Sequence, residues 1–421
     1  MQECRIGENL SLIFRTHQSS HTAVFQDNPW MQRGWTFQEC ILSRRKIFFL
    51  EDRAYWQCES DFWDEGIVNE PRRGFTASRD GMGLNQSPLY LFKFESNSKW
   101  DPYHRIVSVY KERKFNLVHE YDVANALQGV LRRLSVLRGD IFHWGLPQSK
   151  LEKWLSWGDG SSSGPQRRQC KLAMHDKSGD TWEIDIPSWS WMAWPGSYDT
   201  YSLYPEDKIF GPPESDGLRN SFPDWFKVDI NGQLSLIERP LYPGSNTSLS
   251  LPRWRSQDSL RSKSCGQDFK DSGLIRTITS CATLTIQPLT KSIVSGYYNE
   301  SEVWEYAILD KAGTAIGKIY GLNGYHCPDN MDTAICDFVV IFESLRLAAG
   351  LKTPEDDSEN WSYAVDDVRL ITPPNEKWYL LHVMFVEWDD KREVAYRRGV
   401  FTVSEANWMD AEPESRVVTL G

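Results

Sequence analysis

Apolar residues recur at helical spacing in three stretches of the first third of the chain. Residues 31–42 place two large apolar side chains seven positions apart, which predicts a short helix. A second helix is expected at Asp101 and Pro102, because aspartate caps helices and proline suits the first helical position. Residues 122–138 carry apolar side chains every three to four positions and stop before Gly139, which predicts a third helix.

Elsewhere the apolar positions follow strand spacing. Residues 46–58 predict a hairpin that turns at 51–53, and Trp189 and Trp191 place large rings at alternate positions, as in a strand buried on one face. From residue 274 onward the pattern predicts one strand after another. The connections are as short as those of hairpins, which favours antiparallel pairing. The clearest of these expected strands are 303–309, 315–320, 338–342, 378–388 and 394–403.

These elements predict an α+β fold in four parts. A helix and a hairpin occupy residues 1–60, and a mixed helical region covers 61–200 and ends in the tryptophan-rich strand. Residues 201–273 are expected to form flexible or insertion loops, because 240–273 is rich in Ser, Pro, Arg and Gly and has no period. A largely antiparallel, β-rich module covers 274–421.

Composition narrows the function. The 421 residues include 19 tryptophans and carry a net charge of −11, which argues against nucleic acid as a partner, since a basic face is lacking. The eight cysteines form no Cys-x-x-Cys pair and the histidines no metal-ligand spacing, so we expect no metal and reduced thiols. No signal peptide or long apolar run is found, which predicts a cytoplasmic protein with no membrane span.

One carboxylate stands out as candidate chemistry. Trp35 and Glu39 are four residues apart, so a helix would stack them on one face. Glu39 is then either a partly desolvated general base or charge stabiliser, or a structural carboxylate paired with Arg33, Arg44 or Arg45. No glycine-rich phosphate loop or nucleophile elbow accompanies it.

The tryptophan-rich segment is the second candidate. Trp189, Trp191 and Trp194 form either a platform for a ligand or part of the core, and a chain with this many tryptophans favours the core. We expect Trp189, Trp191 and Trp56 to be structural residues, together with Arg33 and Arg44.

Two motifs carry a resemblance to a known family. Arg-Gly-Trp-Thr-Phe-Gln-Glu at residues 33–39, with Leu-Ser-Arg-Arg at 42–45, resembles the closing motif of the fungal heterokaryon incompatibility (HET) domain. Tyr-Trp-Gln-Cys at 55–58 and Pro-Ser-Trp-Ser-Trp at 187–191 resemble the region that follows this domain in many such proteins. The two opening strand motifs of the family do not occur in residues 1–32. The resemblance therefore implies a truncated member that retains a short remnant of the domain, whose fold is similar to the Toll/interleukin-receptor (TIR) α/β fold.

The resemblance implies fungal non-self recognition and programmed cell death. Some TIR domains hydrolyse NAD with a glutamate four residues after a tryptophan, so by analogy Glu39 would be the catalytic carboxylate and Trp35 would contact the substrate. The strands that would form the base of the substrate-binding cleft in such a domain are missing from the chain. We therefore expect an interaction or regulatory module without activity alone, binding protein partners or a second copy of itself and needing no cofactor. The alternative is a TIR-like NAD-cleaving hydrolase, completed by self-association or a partner.

Overall fold

The computed structural model describes about half of the chain. These residues are 2–5, 11–14, 29–30, 32–49, 54–58, 62–64, 102–111, 113, 122–159, 167–176, 178–195, 198–199, 223–238, 269–295, 300–320, 333–347 and 377–421. Together they form a mixed α+β fold with a large, mainly antiparallel sheet.

The described helices are α1 (Gly34–Leu42), α2 (Pro102–Lys111), α3 (Asp122–Arg138), α4 (Leu151–Leu155) and α5 (Glu405–Asp410). The first three were expected from apolar spacing, and their existence is confirmed. Helix α3 ends where Gly139 takes a φ of +67°, a left-handed conformation that glycine adopts without steric cost.

The described strands are numbered in chain order. They are β1 (Gln2–Arg5), β2 (Ser11–Phe14), β3 (Arg45–Phe49), β4 (Ala54–Cys58), β5 (Phe62–Asp64), β6 (Phe142–His143), β7 (Leu146–Pro147), β8 (Gly158–Asp159), β9 (Lys171–His175), β10 (Thr181–Asp185), β11 (Tyr198–Asp199), β12 (Phe226–Asp229), β13 (Leu234–Leu236), β14 (Asp271–Ser295), β15 (Glu300–Leu309), β16 (Ala315–Tyr320), β17 (Ala334–Leu347), β18 (Lys377–Trp388), β19 (Ala395–Ser404) and β20 (Glu414–Leu420).

Nine of these strands form the large sheet, in the order β13-β12-β14-β17-β18-β19-β20, with β15 on β14 and β16 on β15. All its pairings are antiparallel except the short contact of β19 with β20 at Ala395 and Leu420. Strand β20 also pairs with β14, so β14, β17, β18, β19 and β20 form a closed ring of pairings. The expected hairpins of the C-terminal part are confirmed, as is the β3–β4 hairpin.

Two apolar clusters lie on opposite faces of this sheet. One cluster packs α1, α2 and α3 and most of the buried tryptophans against one face, and the other fills the opposite face and reaches Trp408 of α5. Phe338, Val339, Val340 and Ile341 alternate between the two clusters. This strand is therefore buried on both faces, which explains its continuous apolar run.

Two expectations need correction. Trp189 and Trp191 do not lie in a strand: residues 188–190 form a turn, and a short 3-10 helix follows at Trp191–Ala193. The Ser190 hydroxyl caps this helix by accepting a hydrogen bond from the Met192 amide at 3.1 Å, so the backbone turns back on itself. The stretch 201–273, expected to be loops, contributes β12, β13 and the start of β14; its other residues lie outside the described ranges apart from short flanks.

No helix in the described ranges combines the length and apolar character that crossing a bilayer requires.

Candidate functional site

Helix α1 carries the Trp35–Glu39 pair, and its position is fixed at its first turn. Arg33 precedes it in extended conformation, and the Thr36 hydroxyl donates to the carbonyls of Trp30 at 2.6 Å and Arg33 at 2.7 Å. These bonds tie the incoming chain to the first turn and orient the helix.

The opposite side of α1 is buried against α2 and α3. Phe37 packs on Tyr110 with ring centroids 5.3 Å apart, and the Arg113 guanidinium lies 5.5 Å from the Phe37 ring. The Gln38 side-chain oxygen accepts a hydrogen bond from the Gly129 amide at 2.7 Å. The buried residues therefore set which face of the helix is left for solvent.

Trp35 and Glu39 occupy that solvent face. Trp35 is 40% exposed and Glu39 is exposed. The desolvation expected for a carboxylate beside tryptophan is not found, because the helix buries its other side. The described residues also contain no salt bridge from Glu39 to Arg33, Arg44 or Arg45, all of which are exposed as well. Neither the desolvated base nor the expected ion pair is therefore observed.

Lys46 joins α1 to the following hairpin. Its ammonium donates to the Cys40 carbonyl at 2.9 Å, at the end of the helix, where the helix dipole favours a cation. Burial lowers the pKa of Lys46 to about 8 and raises the pKa of the Cys40 thiol. Cys40 is thus a protonated packing residue rather than a nucleophile.

Strand β3 presents apolar side chains to solvent next to α1. Ile47 is 59% exposed and Phe49 is 81% exposed, on the same face of the strand. Among the described strands β3 pairs only with β4, so it is an edge of its small sheet. Half-buried Trp56 lies opposite Ile47 in this pairing. We call Trp30, Trp35, Ile47 and Phe49 the α1–β3 surface.

The tryptophan turn lies in the interior. Trp189 and Trp191 are fully buried, and Trp194 nearly so. The indole N–H of Trp189 donates to the Gly273 carbonyl at 3.2 Å, and that of Trp191 to the Tyr103 hydroxyl at 2.9 Å. A ligand platform needs an exposed ring face, and neither ring has one. The turn instead connects α2 to the start of β14.

A basic cleft escaped prediction from the sequence. It has a volume of about 380 Å³ and brings Arg167 next to Arg397 and Arg398 of β19. The two arginine segments are separated by about half the chain, so no local motif joins them. The strand spacing of β19 does not indicate the cleft either, since it puts Arg397 and Arg398 on opposite sides of the strand.

The described residues contain no group of three or more His, Cys, Asp or Glu side chains that could hold a metal ion. Comparison with family models, with curated proteins and with solved structures gives no match for this chain.

Proposed function

We propose that this chain is an interaction module of the HET family, acting in fungal non-self recognition and cell-death signalling, and that it works by self-association through the α1–β3 surface. The motif at residues 33–39 supports the family, and the exposure of Ile47 and Phe49 on an edge strand supports the mode of action. Exposed apolar edges of this kind pair readily with another strand.

A second copy of the chain is a suitable partner for the edge of β3, because the two β3 strands can pair in a register that brings complementary side chains together. In an antiparallel pairing of β3 with β3 of a second copy centred on Ile47, Arg45 lies opposite Phe49 and Lys46 opposite Phe48. No two like charges then face each other, and Arg45 lies beside the aromatic ring of Phe49. Such a two-fold contact uses the same patch on both copies and closes as a dimer.

The mass of the purified chain in solution tests this proposal. We expect a dimer by light scattering, and Ile47→Lys should yield a monomer, because it places two buried cations opposite each other. Ile335→Lys is the matched control, since Ile335 is a strand isoleucine that is 78% exposed elsewhere on the molecule. A wild-type monomer at all concentrations, or equal dissociation by both variants, would contradict the proposal.

The competing function is NAD hydrolysis by Glu39. The shared helix face of Trp35 and Glu39 favours it. Exposure counts against it, because a carboxylate in bulk solvent lacks the positioned pocket that supplies much of a rate enhancement. Incubation of the dimer with NAD should release no nicotinamide. If the wild-type protein releases nicotinamide and Glu39→Gln does not, the chain is a hydrolase and the proposal of a non-catalytic module is wrong.

A further inference from the structure

The small sheet of β3, β4 and β5 has one face that its own chain covers. The Lys46 ammonium lies on this face and donates to the Cys40 carbonyl of α1 at 2.9 Å. The Phe48 ring, two positions along the strand, lies edge-on to the Trp30 ring with centroids 6.2 Å apart. Gln57, which is opposite Lys46 in β4, is buried. Helix α1 and the segment that leads into it therefore occupy this side of the sheet.

The other face of the sheet carries Arg45, Ile47 and Phe49, which we call the β3 outer face. Successive side chains of a strand point to opposite sides, so these three point away from α1. Phe49 is the most exposed large apolar side chain in the described ranges, and Ile47 is more than half exposed. On β4 the half-buried Trp56 continues the apolar surface opposite Ile47. Ile47 and Phe49 therefore lack a covering element among the described residues.

The charged groups described at this face are positive. Arg45 lies on the face itself and Arg44 immediately precedes the strand, and both side chains are exposed. Within the described ranges neither arginine side chain forms an ion pair. The chain as a whole carries a net charge of −11. The β3 outer face thus combines cations with exposed apolar side chains in an acidic protein.

The proposed dimer enlarges this face and does not cover it. Residues directly opposite each other in an antiparallel pair share a face, so Arg45 of one copy and Phe49 of the other lie on the same side. The two-fold axis then passes between the two Ile47 residues, at right angles to the sheet. The two outer faces therefore join into one surface with an apolar centre, and an exposed surface of this kind is a binding surface for another molecule.

We propose that this joined face binds the surface of a membrane that contains anionic lipids, an inference that rests on the dimer proposed above. The arginines are attracted to the negatively charged headgroups. Ile47, Phe49 and Trp56 supply apolar and aromatic groups of the kind that enter the boundary between headgroups and acyl chains. Because the two-fold axis is perpendicular to the face, both copies reach one plane together, and the second contact strengthens the first.

A second dimer is a less suitable occupant of this face than a membrane. Stacking two such faces would bring the Arg44 and Arg45 side chains of four copies into one interface, where like charges repel each other. An anionic membrane supplies the opposite charge, and because it is fluid it needs no shape that matches the face. An acidic protein also supplies the opposite charge, and the experiment distinguishes it from lipid.

Sedimentation of the full chain with lipid vesicles tests the proposal. We expect the chain to sediment with vesicles of equal parts phosphatidylcholine and phosphatidylserine, and to stay in solution with phosphatidylcholine alone. Binding should weaken as the salt concentration is raised. Phe49→Thr and Arg45→Gln should each lower the affinity at least about fivefold, since each change removes a contribution from both copies. Threonine is chosen because it keeps the preference for a strand.

Ile335→Thr and Arg416→Gln are the matched controls. Ile335 is 78% exposed on β17 and Arg416 is exposed on β20, so these changes remove the same kinds of side chain from other parts of the surface. Neither should alter vesicle binding. Far-ultraviolet circular dichroism verifies that each variant is folded, and light scattering verifies that Phe49→Thr is still a dimer.

Three results would overturn the proposal: a dimer that binds neither kind of vesicle, equal binding to both kinds, or binding that neither β3 variant weakens. Binding to polyglutamate without binding to anionic vesicles would also overturn it and would assign the face to an acidic protein. A monomer that binds anionic vesicles through Arg45 and Phe49 would support the lipid site and contradict the dimer. Failure of the self-association is thereby distinguished from failure of the lipid site.

Discussion

The imidazole of His143 is buried and stacks on the Trp189 indole, with ring centroids 5.5 Å apart. Its Nδ1 lies 3.6 Å from Asp271 Oδ2, an oxygen that also accepts the Trp144 indole N–H at 3.2 Å. Burial lowers the pKa of His143 to about 4; Asp271 opposes this shift and Lys227 adds to it. The folded protein therefore keeps this histidine neutral where an unfolded chain would protonate it.

The pH dependence of stability follows from this difference. Between pH 6.5 and pH 4 the unfolded state binds a proton that the folded state does not, so the free energy of unfolding decreases as the pH falls. The separation of the two pKa values corresponds to about 3 kcal/mol at most. Denaturant unfolding at several pH values measures how the free energy of unfolding changes with pH. In His143→Gln the part of this pH dependence that comes from His143 should be lost.

The control for this measurement is His175→Gln. His175 is exposed at the end of β9, so its replacement should leave the slope of the wild-type protein intact. Identical slopes for wild type and His143→Gln would show that His143 titrates equally in both states.

At the scale of elements, the hairpin of β6 and β7 shows how a two-residue turn packs on the tryptophan segment. Trp144 and Gly145 both have positive φ, at 48° and 83°, as the tightest hairpin turns require. The Ser190 hydroxyl donates to the Trp144 carbonyl at 2.7 Å, and the Tyr103 hydroxyl donates to the Gly145 carbonyl at 2.5 Å.

Gly145→Ala tests this packing. An added Cβ would lie 2.7 Å from the terminal methyl group of Met192 and 3.3 Å from the Trp191 ring. Gly139→Ala is the matched control, because Gly139 also has positive φ and an added Cβ meets nothing within 4 Å. Both variants incur backbone strain, and Gly145→Ala should lose about 1–3 kcal/mol more from overpacking, measured by urea unfolding. Equal losses would contradict the described contact.

Elements whose signal is local were predictable from the sequence. Helix α3 was recognised because Val123, Ala126, Leu127, Val130 and Leu134 repeat at helical spacing and all prove buried. The segment of Trp189 and Trp191 was wrongly predicted to be a strand. Two large rings at alternate positions also occur in a turn, where each indole forms a hydrogen bond with a different segment of the chain. Hairpin β12–β13 was missed, since a short strand pair beside a long irregular stretch carries little periodicity.

The candidate site was predicted less completely than the elements. Spacing alone correctly placed Trp35 and Glu39 on one helical face. It could not say which face is buried, because Trp35, Phe37, Ile41 and Leu42 distribute apolar surface around the whole of α1. The basic cleft depends on the pairing of β19 with distant strands and on its contact with the turn, which only the three-dimensional fold provides.

At the scale of the whole molecule, one apolar cluster unites the helices with the large sheet. Phe37 of α1, Val123 of α3 and Trp189 belong to the same cluster as Ile275 of β14 and Met384 of β18. Adjacent residues of β17 and β18 continue into the second cluster. Loss of packing in either cluster therefore exposes strands shared with the other, which is the physical condition for cooperative unfolding.

Ser188 is the point at which this cooperativity is best tested. Its hydroxyl donates to the Gly421 carbonyl and accepts the Arg397 amide at 2.8 Å, so it joins the turn to β19 and to the residue after β20. Ser188→Ala leaves a buried amide without its partner and should lower the free energy of unfolding by about 1–3 kcal/mol.

Two spectroscopic probes measure the unfolding of the Ser188→Ala variant. Tryptophan fluorescence includes the signal of Trp154, Trp157, Trp189, Trp191 and Trp194 in the cluster that packs the helices, and far-ultraviolet circular dichroism reports the sheet. Because the clusters share β14, β17 and β18, both midpoints should move together by the same amount. Ser178→Ala, at an exposed turn, should move neither. A fluorescence midpoint that shifts while the dichroism midpoint stays fixed would show that the helical part unfolds independently of the sheet.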